Sequence, residues 1–289
     1  MNIAITGAGG LIGTRLRQRI ADAGHVATPV PRTAGDSELT ELLASSGAVV
    51  HLAGEPVSQR WTAAAKKRIH DSRVEGTRRL VSALTACATR PRVLVCASAV
   101  GYYGSRGDQI LTETSPPGSD FLARVVVEWE DAAQSAEALG IRVVRVRFGV
   151  VLGRGGALGK LLPLFRFGVG GRLGSGRQWM AWIHIDDAVN LILFAINFAA
   201  IRGAVNASAP HPVTNDEFTS RLATALHRPA ILPAPAFALK LVLGEMAEML
   251  LASQRVLPSA AKAAGFPFQY PDLNAALENL LAKGTRGGN

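Results

Sequence analysis

A doubly wound α/β fold with a mostly parallel sheet and a smaller, mainly helical C-terminal lobe is what this 289-residue sequence predicts. Three observations predict it. Apolar runs of strand length alternate with longer amphipathic runs over the first 150 residues, as in a parallel sheet covered on both faces. The first run passes directly into a glycine-rich loop and then a helix. After Gly149 the texture changes, first to a glycine-rich stretch and later to a segment broken by Pro229, Pro233 and Pro235. The expected division is 1–150 as the sheet-bearing core, with core elements recurring at about 180–210, and 151–289 as a substrate lobe that includes a helical domain over 235–289.

Residues 2–6 read as the first strand. Residues 11–23 read as a helix, with Leu16 and Ile20 on one face and Gly24 as its stop. Residues 26–30 are the second strand, ended by Pro31-Arg32. A short helix over 37–46 leads to a buried strand at 48–52, which runs into Ala53-Gly54-Glu55. A long helix covers about 62–88, and Pro91 precedes a strand at 93–98. A loop with a Pro116-Pro117-Gly118 turn spans 101–120. A helix over 122–139, closed by Gly140, leads to a strand at 143–148. Residues 153–178 are expected to form a glycine-rich lid carrying Arg166, Arg172 and Arg177. Trp182-Ile183-His184-Ile185-Asp186-Asp187 opens an apolar helix, and Thr214-Asn215-Asp216-Glu217 reads as a capping box.

The loop Thr6-Gly7-Ala8-Gly9-Gly10-Leu11-Ile12-Gly13 carries the first chemical inference. A strand running into spaced glycines and then a helix sets free backbone N–H groups and a positive helix end beside one point. Gly7, Gly10 and Gly13 let a pyrophosphate approach the backbone, and Leu11 and Ile12 present the first helical amides. This is a Rossmann-type dinucleotide site. No Gly-Lys-Ser/Thr follows, which excludes a P-loop. An acid at the end of the second strand favours NAD by bonding the ribose 2′-hydroxyl. Here Arg32 stands there instead, and a guanidinium pairs with a 2′-phosphate, so the expected cofactor is NADP rather than NAD. The small residues Leu52-Ala53-Gly54 fit a backbone passing close to the adenosine half.

Composition bounds the alternatives. At 48% hydrophobic and 18% charged residues, with a mean hydropathy of +0.20, the chain is no disordered segment. The longest apolar stretch, 188–201, is too short for a bilayer and is interrupted by Asn190 and Asn197. The net charge of +9 comes mostly from scattered arginines without a basic tail, so a nucleic-acid partner is not expected. Met1 leads straight into a strand without the regions of a secretory signal, and Cys87 and Cys96 read as reduced core thiols. The expectation is a cytoplasmic protein with a small-molecule substrate. The histidines are scattered and no metal site is expected.

The sequence resembles the extended short-chain dehydrogenase/reductase superfamily. His51-Leu52-Ala53-Gly54 is similar to that family's stretch after the third main strand, and Cys96-Ala97-Ser98-Ala99-Val100-Gly101-Tyr102-Tyr103-Gly104 to its catalytic-serine strand. Trp182 to Asp187 is similar to its distal His-x-x-Asp segment. Ile69-His70-Asp71-Ser72-Arg73, Gly149-Val150-Val151-Leu152 and the Gly170 to Asp187 stretch resemble an atypical subgroup, the epimerase family proteins of family 39U. Leu243-Gly244-Glu245, Gln254-Arg255-Val256-Leu257-Pro258 and Gly265-Phe266 resemble that subgroup's C-terminal domain of unknown function. The resemblance covers nearly the whole chain. It implies that Leu52, Ala53, Arg73 and Val151 line the cofactor, with Arg73 either reaching a phosphate or holding a loop. It also implies that Ser98, to within one residue, is the remnant of the catalytic serine, and that Tyr103 or Tyr102 supplies a phenol.

The superfamily's Tyr-x-x-x-Lys pair is missing. Tyr102, Tyr103 and Tyr270 are followed four residues later by Arg106, Gly107 and Asn274. At the matching place the chain reads Asp120-Phe121-Leu122-Ala123-Arg124. Arg124 replaces the lysine's ribose contact without its proton relay, since guanidinium stays charged. Two functions follow. One is an NADP-dependent, nucleotide-sugar-epimerase-like oxidoreductase with a rearranged acid and base, whose substrate is phosphorylated. The other is a non-catalytic NADP-binding or redox-sensing module.

Overall fold

The computed structural model describes residues 1–282. Its core alternates strand and helix: β1 (Asn2–Thr6), α1 (Leu11–Asp22), β2 (Val26–Val30), α2 (Asp36–Ala44), β3 (Ala48–His51), α3 (Ala63–Ala86) and β4 (Val93–Ala99). A 3₁₀ turn over Val100–Tyr103 leads through β5 (Ile110–Leu111) to α4 (Phe121–Gln134) and β6 (Arg142–Phe148). The second half contains β7 (Val150–Leu152), α5 (Gly156–Arg166), β8 (Trp179–Met180), β9 (Trp182–His184), α6 (Ile185–Asn197), β10 (Gly203–Ala207), β11 (Val213–Thr214) and α7 (Asn215–Leu226). The C-terminal part adds α8 (Ala236–Leu243), α9 (Met246–Leu251), β12 (Arg255–Val256), α10 (Ser259–Ala263) and α11 (Leu273–Leu281). The expected lobe runs to residue 289, and its residues 283–289 lie outside the described ones.

The main sheet is six-stranded in the order β10-β6-β4-β3-β1-β2, and every pair is parallel. From β1 the chain goes outward to β2 and then crosses back to β3. The switch point therefore falls between β1 and β3, and a crevice opens there at the carboxyl ends of the strands. Helices cover both faces. Ile3, Ile5, Val50, Val95 and Val146 pack beneath α1 and α6, while Ala4, Val49, Leu94 and Val143 pack beneath α2, α3 and α4. This two-sided burial is why the strands read as continuous apolar runs rather than alternating ones.

Two expectations about elements change. The helix expected over 122–139 is α-helical only to Gln134 and tightens into a 3₁₀ turn over Ser135–Leu139 before Gly140 adopts a φ of 78°. The glycine-rich stretch 153–178 is not loop throughout, because α5 occupies Gly156–Arg166 with Pro163 inside it. Leu158 and Phe165, seven residues apart, are its buried contacts. Glycine density concealed a two-turn apolar face.

The capping box of α7 is formed: the Thr214 hydroxyl accepts from the Glu217 amide, and the Glu217 carboxylate accepts from the Thr214 amide. The C-terminal part is tied back to the core. β12 pairs with β5, and His184 stacks on Tyr270 with ring centroids 3.8 Å apart. The buried Asp187 carboxylate accepts from the amides of Gln269 and Tyr270 at 2.8 and 2.9 Å. The His-x-x-Asp segment thus anchors the C-terminal part to the start of α6.

Candidate functional site

The glycine loop is built by three close approaches. Gly7 has a φ of 68°, and a Cβ on it would stand 2.7 Å from the carbonyl carbon of Leu52. A Cβ on Gly13 would stand 2.4 Å from the Gly7 oxygen. The Gly10 amide donates to that same oxygen at 3.0 Å, which closes the turn. Gly10 caps α1 with no side-chain hydrogen bond, and the first amides of the helix, on Leu11, Ile12 and Gly13, have no acceptor among the described residues. These donors and the helix dipole fit an anion, and the lack of Cβ atoms fits a pyrophosphate lying on the backbone. A hollow of about 690 Å³ adjoins this helix end, with Gly10, Leu11, Gly153, Arg154 and Asp186 among its lining residues. A second hollow, of about 800 Å³, is lined by α7 and by residues between 228 and 233, and shares no residue with the loop.

Thr6 holds the adjoining strand end. Its hydroxyl accepts from the amides of Leu52 and Ala53 at 3.2 and 3.3 Å, and lies 2.7 Å from His51 Nδ1. The other ring nitrogen, Nε2, is buried without a hydrogen-bond partner among the described residues. His51 is buried, and burial pushes its pKa from the usual 6.5 to about 4. Between those two values the unfolded chain binds a proton that the folded one does not. Stability is therefore expected to fall by up to about 3 kcal/mol as pH drops from about 6.5 to about 4, and not to fall further from this group below that. Burial lowers the His184 pKa as well, which adds to the same slope. Urea midpoints at pH 7, 5.5 and 4 test this, and His51→Gln should flatten the curve.

Arg32 is exposed two residues beyond the end of β2, beside the switch-point crevice. It shares that crevice with Glu55, whose carboxyl is held below its usual range by the Gln59 amide, then by Arg68, with a smaller contribution from Arg32. Leu52 and Ala53 are half-buried at the mouth and Gly54 is exposed. Arg73 lies beneath them: its guanidinium donates to the carbonyls of Glu55 and Ile69 at 2.9 and 3.2 Å. Burial lowers its pKa to about 10. Of the two roles the resemblance left open, the contacts made are those of a loop-holding residue. Val151 is half-buried in β7, paired with Ile183 of β9.

The expected acid–base residues are buried and engaged with other side chains. Ser98 and Tyr103 are 3% and 0% exposed. The Ser98 hydroxyl donates to Glu130 Oε1 at 2.5 Å, and the Tyr103 hydroxyl donates to Asn206 Oδ1 at 2.7 Å. Arg147 joins the two, donating to both Glu130 oxygens at 2.7 and 2.8 Å and to the Tyr103 hydroxyl at 3.0 Å. Burial drives the Tyr103 phenol up to about 12, away from proton exchange near neutral pH. Burial also works against the Arg147 charge, but Glu130 outweighs it and raises the pKa. The catalytic expectation for Ser98 and Tyr103 thus meets a buried scaffold network. Asp120 caps α4, its Oδ1 accepting from the Ala123 amide at 2.9 Å. Arg124 is exposed and donates to the Ser119 carbonyl.

Sequence reasoning missed Glu130, Arg147 and Asn206. The signals were present: Glu130 follows Trp129 inside the apolar face of α4, and Arg145 and Arg147 alternate with valines in a strand buried on both sides. Charges at core positions of two neighbouring elements are expected to be paired.

Comparison with known proteins matches residues 3–207 to the NAD dependent epimerase/dehydratase family and residues 234–280 to a domain of unknown function, DUF1731. The chain is 42% identical to the chloroplastic epimerase family protein SDR39U1 homolog of Arabidopsis thaliana, over 97% of this chain and 87% of that one. It is 38% identical to the epimerase family protein YfhF of Bacillus subtilis, with 98% of both covered. Among solved structures, human epimerase family protein SDR39U1 with NADPH superposes with a TM-score of 0.89 at 37% identity, covering 97% of this chain and 99% of that one.

Proposed function

The chain belongs to the NAD dependent epimerase/dehydratase family, and from that premise we propose that it binds NADP(H) and acts as an epimerase-like oxidoreductase on a phosphorylated small molecule, without a Tyr-x-x-x-Lys pair. The observation that carries the cofactor reading is the pairing of an uncapped α1 terminus with Arg32 beyond β2. The amides of residues 11–13 hold the pyrophosphate, and Arg32 pairs with the 2′-phosphate. Leu52 and Ala53 border the adenosine half, and Val151 borders the nicotinamide half. The human relative carries NADPH, in keeping with this choice. A bound nicotinamide supplies a hydride donor or acceptor. The described residues supply its positioning: Thr6 fixes the Leu52-Ala53 backbone, and Arg73 fixes the loop from Gly54 to Glu55.

Arg32→Ala is expected to weaken NADPH binding by roughly 10- to 100-fold, the worth of one charge-assisted phosphate contact, and to leave NADH binding nearly unchanged. Paired fluorescence titrations measure both. Equal losses for the two cofactors would sink the assignment of Arg32 to the 2′-phosphate.

A second reading has its own observation in the burial of Ser98 and Tyr103 and the engagement of Asp120 and Arg124 in helix capping and turn contacts. On that reading the chain is a non-catalytic NADP(H)-binding or redox-sensing module. Hydride exchange from stereospecifically deuterated NADPH, tested with phosphorylated carbonyl compounds and nucleotide sugars, separates the two. Washout of label by the protein favours the enzyme, and its absence alongside tight binding favours the module.

A further inference from the structure

Twelve large apolar residues are exposed among the described residues, and eight of them fall in only two segments, 164–169 and 231–242. That concentration is not the scatter of a normal surface. Phe167 is 82% exposed at the end of α5, and Phe237 and Leu241, one turn apart on α8, are 75% and 78% exposed. No residue of α8 is buried, although the helix is almost wholly apolar. The two segments are stitched together. The Gly174 amide donates to the Ala234 carbonyl, the Ala234 amide donates to the Arg172 carbonyl, and Arg228 donates to the Arg166 carbonyl. These two linked segments make a shelf that carries eight exposed apolar side chains.

The shelf is continuous with the cofactor crevice. α5 begins at Gly156, which packs against Leu11 at the start of α1, and Lys160 of α5 donates to Ser58 in the loop after β3. α8 ends at Gly244 beside Arg60 of that same loop. The two helices thus leave the crevice from one loop and meet again at the paired segments 171–174 and 232–234. Cations mark this course: Arg60, Lys160 and Lys240 are exposed along it, and Arg166, Arg172 and Arg228 stand at its far end, where Asp216 is the carboxylate facing Arg172 at 3.9 Å. An apolar surface edged by cations complements a molecule with an apolar body and an anionic group.

We propose that this shelf binds the substrate, and that the substrate is a free single-chain amphiphile with an apolar chain and a phosphate head, its reacting carbon reaching the crevice. The inference rests on the reading that the crevice holds NADP(H), and none of the shelf residues belongs to that cofactor site.

Calorimetric titration of the full chain loaded with NADPH tests it, using dodecyl phosphate below its micelle concentration. Butyl phosphate, dodecyltrimethylammonium and UDP-glucose are the comparison ligands. Dodecyl phosphate should bind at least tenfold tighter than each of these. The double substitution Phe237→Ser/Leu241→Ser should weaken it by tenfold or more, as expected for two apolar side chains removed from contact. Arg60→Gln should shrink the preference for the anionic over the cationic amphiphile. NADPH binding should be unchanged in all three proteins, which also reports that they fold. A failure of the cofactor reading would appear instead as absent NADPH binding in the unsubstituted chain. The proposal is overturned if UDP-glucose binds tighter than dodecyl phosphate, or if the double variant binds dodecyl phosphate as well as the parent does. It is equally overturned if the double substitution turns a dimer into a monomer, which makes the shelf a contact between copies. Binding to phosphatidylglycerol vesicles without binding of monomeric amphiphile makes it a membrane-facing surface and overturns it too.

Discussion

Gly13→Ala is expected to lower NADPH affinity by roughly 100-fold or more, about 3 kcal/mol, and to destabilise the fold by about 1–3 kcal/mol. The new methyl would stand 2.4 Å from the Gly7 carbonyl oxygen and 2.8 Å from the Ala8 Cα. Both neighbours are backbone, so no side chain can swing away. Nor can the loop retreat as a unit, because Gly7 already lies against the Leu52 carbonyl group at a φ that disfavours other residues. The displaced Gly7 oxygen is the acceptor of the Gly10 amide, so the turn that presents the α1 amides opens with it. Gly9→Ala is the internal control, since nothing lies within 4 Å of its added methyl and stability should hardly change. NADPH titration and urea unfolding of both variants measure the contrast. If Gly13→Ala binds NADPH within threefold of the parent, the loop is not the pyrophosphate cradle.

The shape of the glycine loop was legible because it depends on close backbone approaches that side chains would block, and the spacing of residues 7, 10 and 13 states those approaches directly. The position of Arg32 was legible for a related reason: it stands at a fixed offset from the end of β2, and the strand ends of a parallel sheet converge on one edge. The apolar core strands were equally plain, since burial on both faces leaves a continuous hydrophobic run. Side-chain roles that depend on facing direction were less accessible. Ser98 lies near the carboxyl end of β4, where a catalytic hydroxyl would be placed, but it points toward Glu130 beneath α4 rather than toward the cleft. Strand periodicity assigns residues 94, 96 and 98 to one face without saying which face a ligand meets. Arg73 shows the same gap, as a phosphate ligand and a loop anchor ask for the same residue. α5 was hidden because its few glycines mimic a loop while its contacts, Leu158 and Phe165, are too sparse to set a period.

Glu130→Gln is expected to destabilise the protein by about 3–5 kcal/mol, because it leaves a buried guanidinium without its counterion. Arg147 and Glu130 are each 3% exposed and joined by two hydrogen bonds, and burial alone would favour loss of the arginine's charge. A glutamine keeps one acceptor for Arg147 or for Ser98 but not the charge. Removing both ions tests whether the cost is electrostatic. Glu130→Leu/Arg147→Met should recover part of the loss, since the Arg147 charge leaves together with that of Glu130, and only Arg145, whose Nη1 lies 3.5 Å from Glu130 Oε2, is left without that partner. Recovery should stay incomplete: Tyr103 loses the donor at 3.0 Å and Ser98 loses its acceptor. The damage should also spread in a defined direction. Tyr103 holds Asn206, whose amide donates to the Leu257 carbonyl, and Arg147 itself donates to the carbonyl of Glu113, next to β5. β5 is the strand that pairs with β12, so loosening this network should expose the C-terminal segment before the sheet melts. Limited proteolysis of Glu130→Gln should therefore cut between residues 228 and 258 under conditions that leave the parent intact. Equal protection of that segment, together with a urea-derived loss below about 1 kcal/mol, would show that the pair does not brace the C-terminal part against the core. With the brace in place, the 3₁₀ turn carrying Tyr102 and Tyr103 stays fixed at the end of β4, on the crevice side of the sheet.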